Sequence, residues 1–302
     1  MKPTVFIHTN DKQMIGAKLS AYSLKTRSKS PDAFEVKIIK LEESPHLYKR
    51  EGLSYLRKGR DAIWHNNDLQ SFSPLRMIVP QLMNFSGRAL LIDPDIFAVG
   101  DVFDLLSRDM KGKSIICRHI EDGYKGNGNK FYATSVMLLD CEKLTHWQWD
   151  AQLDAMFNKQ LDYGDWISLK LENPEHIGRL EEEWNHFDTL NENTQLLHNT
   201  ERSTQPWKTG LEVDYDTNVK QLKIGTGFFK RVLAKFGVVK KEVVSSDSKQ
   251  YMPHPDFNQE RFFLHLLKEC MDLGVIDADY LNQQISESNL RKDIFEQLEK
   301  VS

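Results

Sequence analysis

Apolar positions along the chain alternate between two rhythms. Val5-Phe6-Ile7 is a short β-rich run that gives way to His8-Thr9-Asn10-Asp11, and from Met14 to Leu24 the residues Ile15, Leu19 and Tyr22 recur at helical spacing. A strand, a polar loop holding His8, Asn10 and Lys12, and a helix are predicted. Phe34 to Leu41 repeats the strand signal through Val36, Ile38 and Ile39. Pro74 to Phe85 reads as a helix capped by Ser73, with Pro74 at its first position. Ala89 to Ile92 is apolar without interruption, as in a strand covered on both faces. Lys113 to Cys117 and Thr134 to Leu139 predict further strands, and Asp140 starts a helix running to Phe157. Strands alternating with helices predict an α/β protein on a parallel or mixed sheet.

After Gly210 the strand signals thin out, and Gly225 to Gly237, Asn258 to Leu273 and Asn289 to Val301 read as helices. A boundary is placed there, between residues 1–210 and a mainly helical region, 211–302. Asp122 to Asn129 is a loop of glycine and asparagine, the composition of a lid over a site.

Composition narrows the function. The 302 residues, 40% hydrophobic and 28% charged, suffice for one large core or a core with an appended lobe. Forty Lys and Arg against 44 Asp and Glu argue against a general nucleic-acid binder. Cys117, Cys141 and Cys270 lie far apart, with neither zinc spacing nor an even count, which points to a reducing compartment. The run Thr4 to Ile7 reaches His8 too soon for a secretory core, and no window has the length of a membrane span. A soluble, cytoplasmic protein is expected.

Candidate chemistry is concentrated where the apolar strand stops, at Ala89-Leu90-Leu91-Ile92-Asp93-Pro94-Asp95. In extended chain the two aspartates point to one side, and Pro94 removes a ladder donor, so the strand ends with two converging carboxylates. Like charges that close call for a cation, and carboxylate oxygens select magnesium or manganese, which in turn holds a diphosphate. By itself the pattern also fits a solvated turn. Arg76, on an otherwise apolar stretch, must pair with an acid or project into a site. The loop of His8, Asn10 and Lys12 lies where open α/β sheets bind nucleotides.

This segment resembles the Asp-x-Asp signature of GT-A glycosyltransferases, and most closely family 8, which includes glycogenin and bacterial lipopolysaccharide hexosyltransferases. Val5 to Leu24 is similar to the family's first strand, uridine-contacting loop and helix. Phe72 to Pro80 looks like its arginine-bearing helix, and Tyr132 to Asp140 like the strand that begins aromatic-Asn-Ala-Gly. Trp184-Asn185, Leu196 to Thr200 and Pro206-Trp207-Lys208 resemble its closing motifs. The resemblance implies a nucleotide-diphospho-sugar transferase fold, a Rossmann-like mixed sheet between helices with a C-terminal helical extension. It implies a metal-dependent hexosyltransferase moving sugar from UDP to a glycan or lipid-linked acceptor with retention, so that the leaving phosphate oxygen takes the acceptor proton. Mn2+ or Mg2+ is then held by Asp93, Asp95 and His198, and the donor by His8, Asn10, Lys12, Arg76 and the aspartates. The pattern departs at Ala133 and Ser135, which replace the asparagine and glycine, and at Gln205, which replaces a phosphate-contacting lysine. Arg202 and Lys208 are expected to offset the diphosphate charge instead, and Asp165 to stand near the transferred sugar.

Two alternatives share these residues: a sugar-nucleotide or glycan binder without turnover, and a haloacid-dehalogenase-like phosphatase with Asp93 as nucleophile. Phe228, Phe229, Val232, Leu233 and Phe236 with their neighbouring lysines fit either a packed helix or, across 228–241, a helix meeting the inner membrane face at a lipid-linked acceptor.

Overall fold

The central strands divide their side chains between two cores, as period-two alternation requires. In the computed structural model, which describes residues 2–122, 128, 130–214 and 250–301, Val5, Ile7, Leu90, Ile92, Val136 and Leu138 enter one core. Phe6, Ala89, Leu91, Met137 and Leu139 enter the other. The strands are β1 (Thr4–Thr9), β2 (Glu35–Lys40), β3 (Ser54–Arg57), β4 (Arg60–Ile63), β5 (Arg88–Ile92), β6 (Ile96–Ala98), β7 (Ile115–Ile120), β8 (Phe131–Asp140), β9 (Ile177–Leu180), β10 (His186–Phe187) and β11 (Leu196–His198). Among the described residues the main sheet runs β2-β1-β5-β8-β7-β9, with a smaller β10-β11-β6 sheet and the β3-β4 hairpin beside it. β1 is parallel to β2 and β5, whereas β8 is antiparallel to both β5 and β7. The mixed sheet between helices is the architecture the resemblance implies.

Helix α1 (Met14–Thr26) carries the chain from β1 back to β2. Its Ala17 and Leu24 face the sheet core. Its Ile15 and Leu19 join a third core with Phe97, Trp207 and the helices Phe257–Asp272, Ala278–Ser286 and Ile294–Lys300. Arg291 ties those helices to the loop after β11: its amide donates to the Trp207 carbonyl at 2.7 Å, and its side chain to the Pro206 carbonyl at 3.2 Å.

Several expected elements change form. The helix predicted over 74–85 is a 3-10 segment, Ser73–Ile78, followed by one α-turn, Val79–Leu82. Pro80 lacks the donor a continuous helix needs and crowds the carbonyl four residues back. The helix predicted from Asp140 breaks into a 3-10 turn, Cys141–Lys143, and a helix, Trp149–Phe157, because fully buried Trp147 docks between them and donates to Glu172 at 2.7 Å. The short strands β3, β4, β6, β9 and β10 carry too little pattern to be read from sequence. The helix expected at 225–237, the surface segment 228–241 and most of the 122–129 loop lie outside the described residues. Among the described residues no helix is long and apolar enough to cross a membrane.

Candidate active site

β1 and β5 run parallel with Ile7 beside Ile92, so the next residues, His8 and Asp93, meet at the carboxyl edge of the sheet. His8 Nε2 lies 2.6 Å from Asp93 Oδ1, and Arg76 Nη2 reaches the same oxygen at 3.3 Å. The other arm of the guanidinium donates to Thr134 Oγ1. Burial would raise the Asp93 pKa, but the Arg76 charge and the hydrogen bond from His8 outweigh it and hold the carboxyl well below its usual range. Burial is also the main effect on His8 and lowers its pKa. The ring is therefore neutral, with its Nε2–H donated to Asp93 and its buried Nδ1 without a partner.

A register shift between β7 and β8 pairs Cys117 with Met137 but Arg118 with Ala133, leaving Thr134, Ser135 and Val136 bulged on β8. The bulge turns two hydroxyls toward the site: Thr134 receives Arg76, and Ser135 Oγ accepts from Asn185 Nδ2 at 2.9 Å. Asn185 Oδ1 in turn lies 2.8 Å from His198 Nδ1. The amide that donates to Ser135 offers its carbonyl to an Nδ1–H, so the neutral ring keeps its lone pair on Nε2. β11 is antiparallel to β6, with His198 opposite Ile96, and this brings Nε2 to 3.3 Å from Asp95 Oδ1.

Asp95 Oδ1 is buried, and with the His198 proton on Nδ1 the facing Nε2 has none to donate, so this oxygen receives no hydrogen bond. One ligand atom each from Asp93, Asp95 and His198 lie within 4.8 Å of one another. Two carboxylates and one imidazole fit a divalent cation, and the nitrogen donor suits manganese better than magnesium. With the protein groups alone, burial lowers the His198 pKa, but Asp95, Asp93 and Asp188 outweigh it and leave it raised.

These three residues open into a cleft of about 640 Å³ that Arg76, Tyr163, Gly164 and Arg202 also line. Other expected site residues stand elsewhere. His8, predicted in a loop, is inside β1 and reaches the site through Asp93. Asp165 pairs with Lys170 at 2.8 Å; its helix turns Tyr163, Gly164, Ile167 and Ser168 to the cleft, and position 165 falls off that face. Lys208 is fully buried, and its charge is taken by Asp214 at 2.9 Å. Lys12 approaches the same carboxylate at 3.4 Å. Asn10 and Lys12 instead line a second cleft of about 630 Å³ with Tyr48 and Asn66. Gln205 Nε2 lies 3.5 Å from Asp95 Oδ2, and its Oε1 accepts from Gln13 at 3.2 Å. The positioning roles of Thr134 and Ser135 are absent from the sequence reading, since a bulge leaves no mark in a uniformly buried strand.

No protein-family model and no curated protein sequence matches the chain. Among solved structures it is similar to the glycosyltransferase GlyE of Streptococcus pneumoniae TIGR4, at 16% identity over 80% of this chain and 61% of that one, with a TM-score of 0.47. It is similar also to the galactosyltransferase LgtC solved with donor and acceptor sugar analogs, at 13% identity over 79% and 98% of the two chains and a TM-score of 0.46. Mouse xyloside xylosyltransferase 1 follows at 13% identity, over 66% and 98%, with a TM-score of 0.42. The chain spans 61% of the length of GlyE. What it does must be read from the cleft itself.

Proposed function

We propose that the chain is a GT-A-type glycosyltransferase of the family 8 kind, moving a hexose from a UDP-sugar to a glycan or lipid-linked acceptor. The observation that carries this reading is the convergence of Asp93, Asp95 and His198 on one point beside a cleft of sugar size. A divalent cation held there would offset the diphosphate charge of the donor and of the leaving group. Asp93 stays ionised through His8 and Arg76, Asn185 aims Nε2 of His198, and Asp95 offers its unpartnered oxygen. Arg76, with Asn10 and Lys12 in the second cleft, would bind the nucleotide sugar. Arg202, which lines the main cleft, is assigned to charge on the departing diphosphate. The transfer would retain configuration, the leaving phosphate oxygen taking the acceptor proton.

The test is calorimetric titration of UDP with manganese and with chelator, paired with sugar-nucleotide hydrolysis assays. Manganese-dependent UDP binding and hydrolysis are expected. Equal UDP affinity in chelator and in manganese would overturn the reading.

A further inference from the structure

At the metal end of the cleft each carboxylate has a neighbour in hand: Asp93 lies against Arg76 and His8, and Asp95 lies 3.3 Å from His198. A different part of the wall, supplied by the β3-β4 hairpin, carries Arg57 and Lys58. Among the described residues neither has a carboxylate in an ion pair with it, although Arg50 before them and His65 after them are both paired.

Both cations are nevertheless placed. The Arg57 guanidinium sits 5.2 Å over the Tyr163 ring, and that ring packs edge-on against Tyr55 and Trp64. An aromatic shelf orients the arginine without consuming its hydrogen-bond donors on an acid. At the hairpin tip, Lys58 adopts a φ of 54°, a conformation in which asparagine or glycine is at less cost. Asp162 fixes this tip by accepting from Gly59 N at 2.8 Å while capping the cleft helix through Gly164 N at 2.8 Å. The stem of Lys58 lies along that helix, its Cγ 3.7 Å from where a Cβ on Gly164 would stand.

We propose that the acceptor carries an anionic group, a phosphate or a carboxylate on its saccharide, and that Arg57 and Lys58 receive it. This rests on the glycosyltransferase reading and names the acceptor class for the same cleft. A neutral sugar would cover two cations without compensating them. An anion forms charge-assisted hydrogen bonds with both, and the planar arginine fork suits either oxyanion.

The test is isothermal titration of glucose, glucose 6-phosphate and glucuronate into the full chain, saturated with UDP and manganese, and into an Arg57→Gln/Lys58→Asn double variant. Asparagine preserves the backbone conformation at the tip. In the parent at least one charged sugar is expected to bind about tenfold more tightly than glucose. In the double variant that advantage disappears while UDP affinity is kept. A preference for glucose 6-phosphate alone assigns phosphate, and one for glucuronate alone assigns carboxylate. Equal binding of all three sugars, no binding of any, or a preference that survives in the double variant overturns the proposal. Failure of UDP to bind counts against the glycosyltransferase reading instead, and the same sugar titrations on metal-free protein then decide the anion site alone.

Discussion

Nδ1 of His198 lies 2.8 Å from Oδ1 of Asn185, inside a relay that ends 2.9 Å further on at Ser135. One orientation of the amide satisfies both bonds, so a residue that holds no cation itself decides which imidazole nitrogen can. Asn185→Ala leaves the ring free to turn, and manganese affinity should fall roughly 10- to 100-fold, the usual effect of losing a ligand's supporting partner. Ser135→Ala should act in the same direction and less. Electron paramagnetic titration of manganese measures both, with circular dichroism as the control for folding. Parent-like manganese affinity in folded Asn185→Ala would remove the relay from the site.

Gly16 on α1 touches the turn between the two aspartates. A Cβ there would stand 2.6 Å from the carbonyl oxygen of Pro94, a backbone atom that cannot swing away. Inside a helix, exchanging glycine for alanine ordinarily stabilises by about 1 kcal/mol. Here the sign should reverse, and Gly16→Ala should lower the melting temperature and weaken manganese binding together. A melting temperature equal to or above that of the parent would show that the turn yields freely.

How far the site can be read from sequence depends on how local each signal is. Asp93-Pro94-Asp95 is legible because the apolar run, the proline and both carboxylates are consecutive. His198 acquires meaning only through the motif around it, since Asp95 is joined to it by the pairing of β11 with β6. Lys208 and Asp165 look equally suitable in the chain. Asp214 and Lys170 claim them in space, and nothing in spacing foretells which cation meets which acid. The β3-β4 hairpin escapes because Lys58-Gly59 is an uncommon tip and its strands lack a clean apolar alternation. Pro80 is visible in the sequence, and its effect on the predicted helix is a matter of local sterics rather than of tertiary context.

The two cations expected to act on the diphosphate should separate experimentally. Arg202→Ala, in the cleft, should lower turnover about a hundredfold, or roughly 3 kcal/mol, with little change in donor affinity. Lys208→Met takes one partner from Asp214, which keeps Lys12 and Tyr251, and should cost about 2 kcal/mol of stability, while the turnover of the folded fraction persists. Urea unfolding and steady-state donor hydrolysis distinguish them; a turnover defect in stable Lys208→Met would restore that lysine to the site.

Gln205→Lys returns a cation to a point beside Asp95. UDP affinity in manganese should rise several-fold, on the order of 1 kcal/mol for a partly screened charge pair. Unchanged affinity in calorimetry would mean that the diphosphate does not pass this position.

Asp101 supplies a pH dependence away from the metal. Burial would raise its pKa, but hydrogen bonds from Ser28, from the Lys29 amide and from the Phe103 amide outweigh it and lower it. A depressed carboxylate contributes stability above its unfolded pKa of about 3.9 and loses it as pH falls through the lower folded value. The stability gap between parent and Asp101→Asn should thus narrow on going from about pH 6 to about pH 3. A constant gap in urea midpoints would show that the carboxylate charge adds nothing to these three hydrogen bonds.

The third core imposes an order on assembly. Ile15 and Leu19 wait for Phe263, Leu267 and Leu298, partners that leave the ribosome some 250 residues later. Until then, among the described residues of that core, Phe97 and Trp207 alone are there to cover the outer face of α1, while its Gly16 already leans on the aspartate turn. Contacts of such sequence separation form slowly and leave early intermediates sticky. A nascent chain halted before Phe257 should therefore bind chaperone through α1, and competence to hold the cation should arrive late in synthesis, when the last helices close over the first.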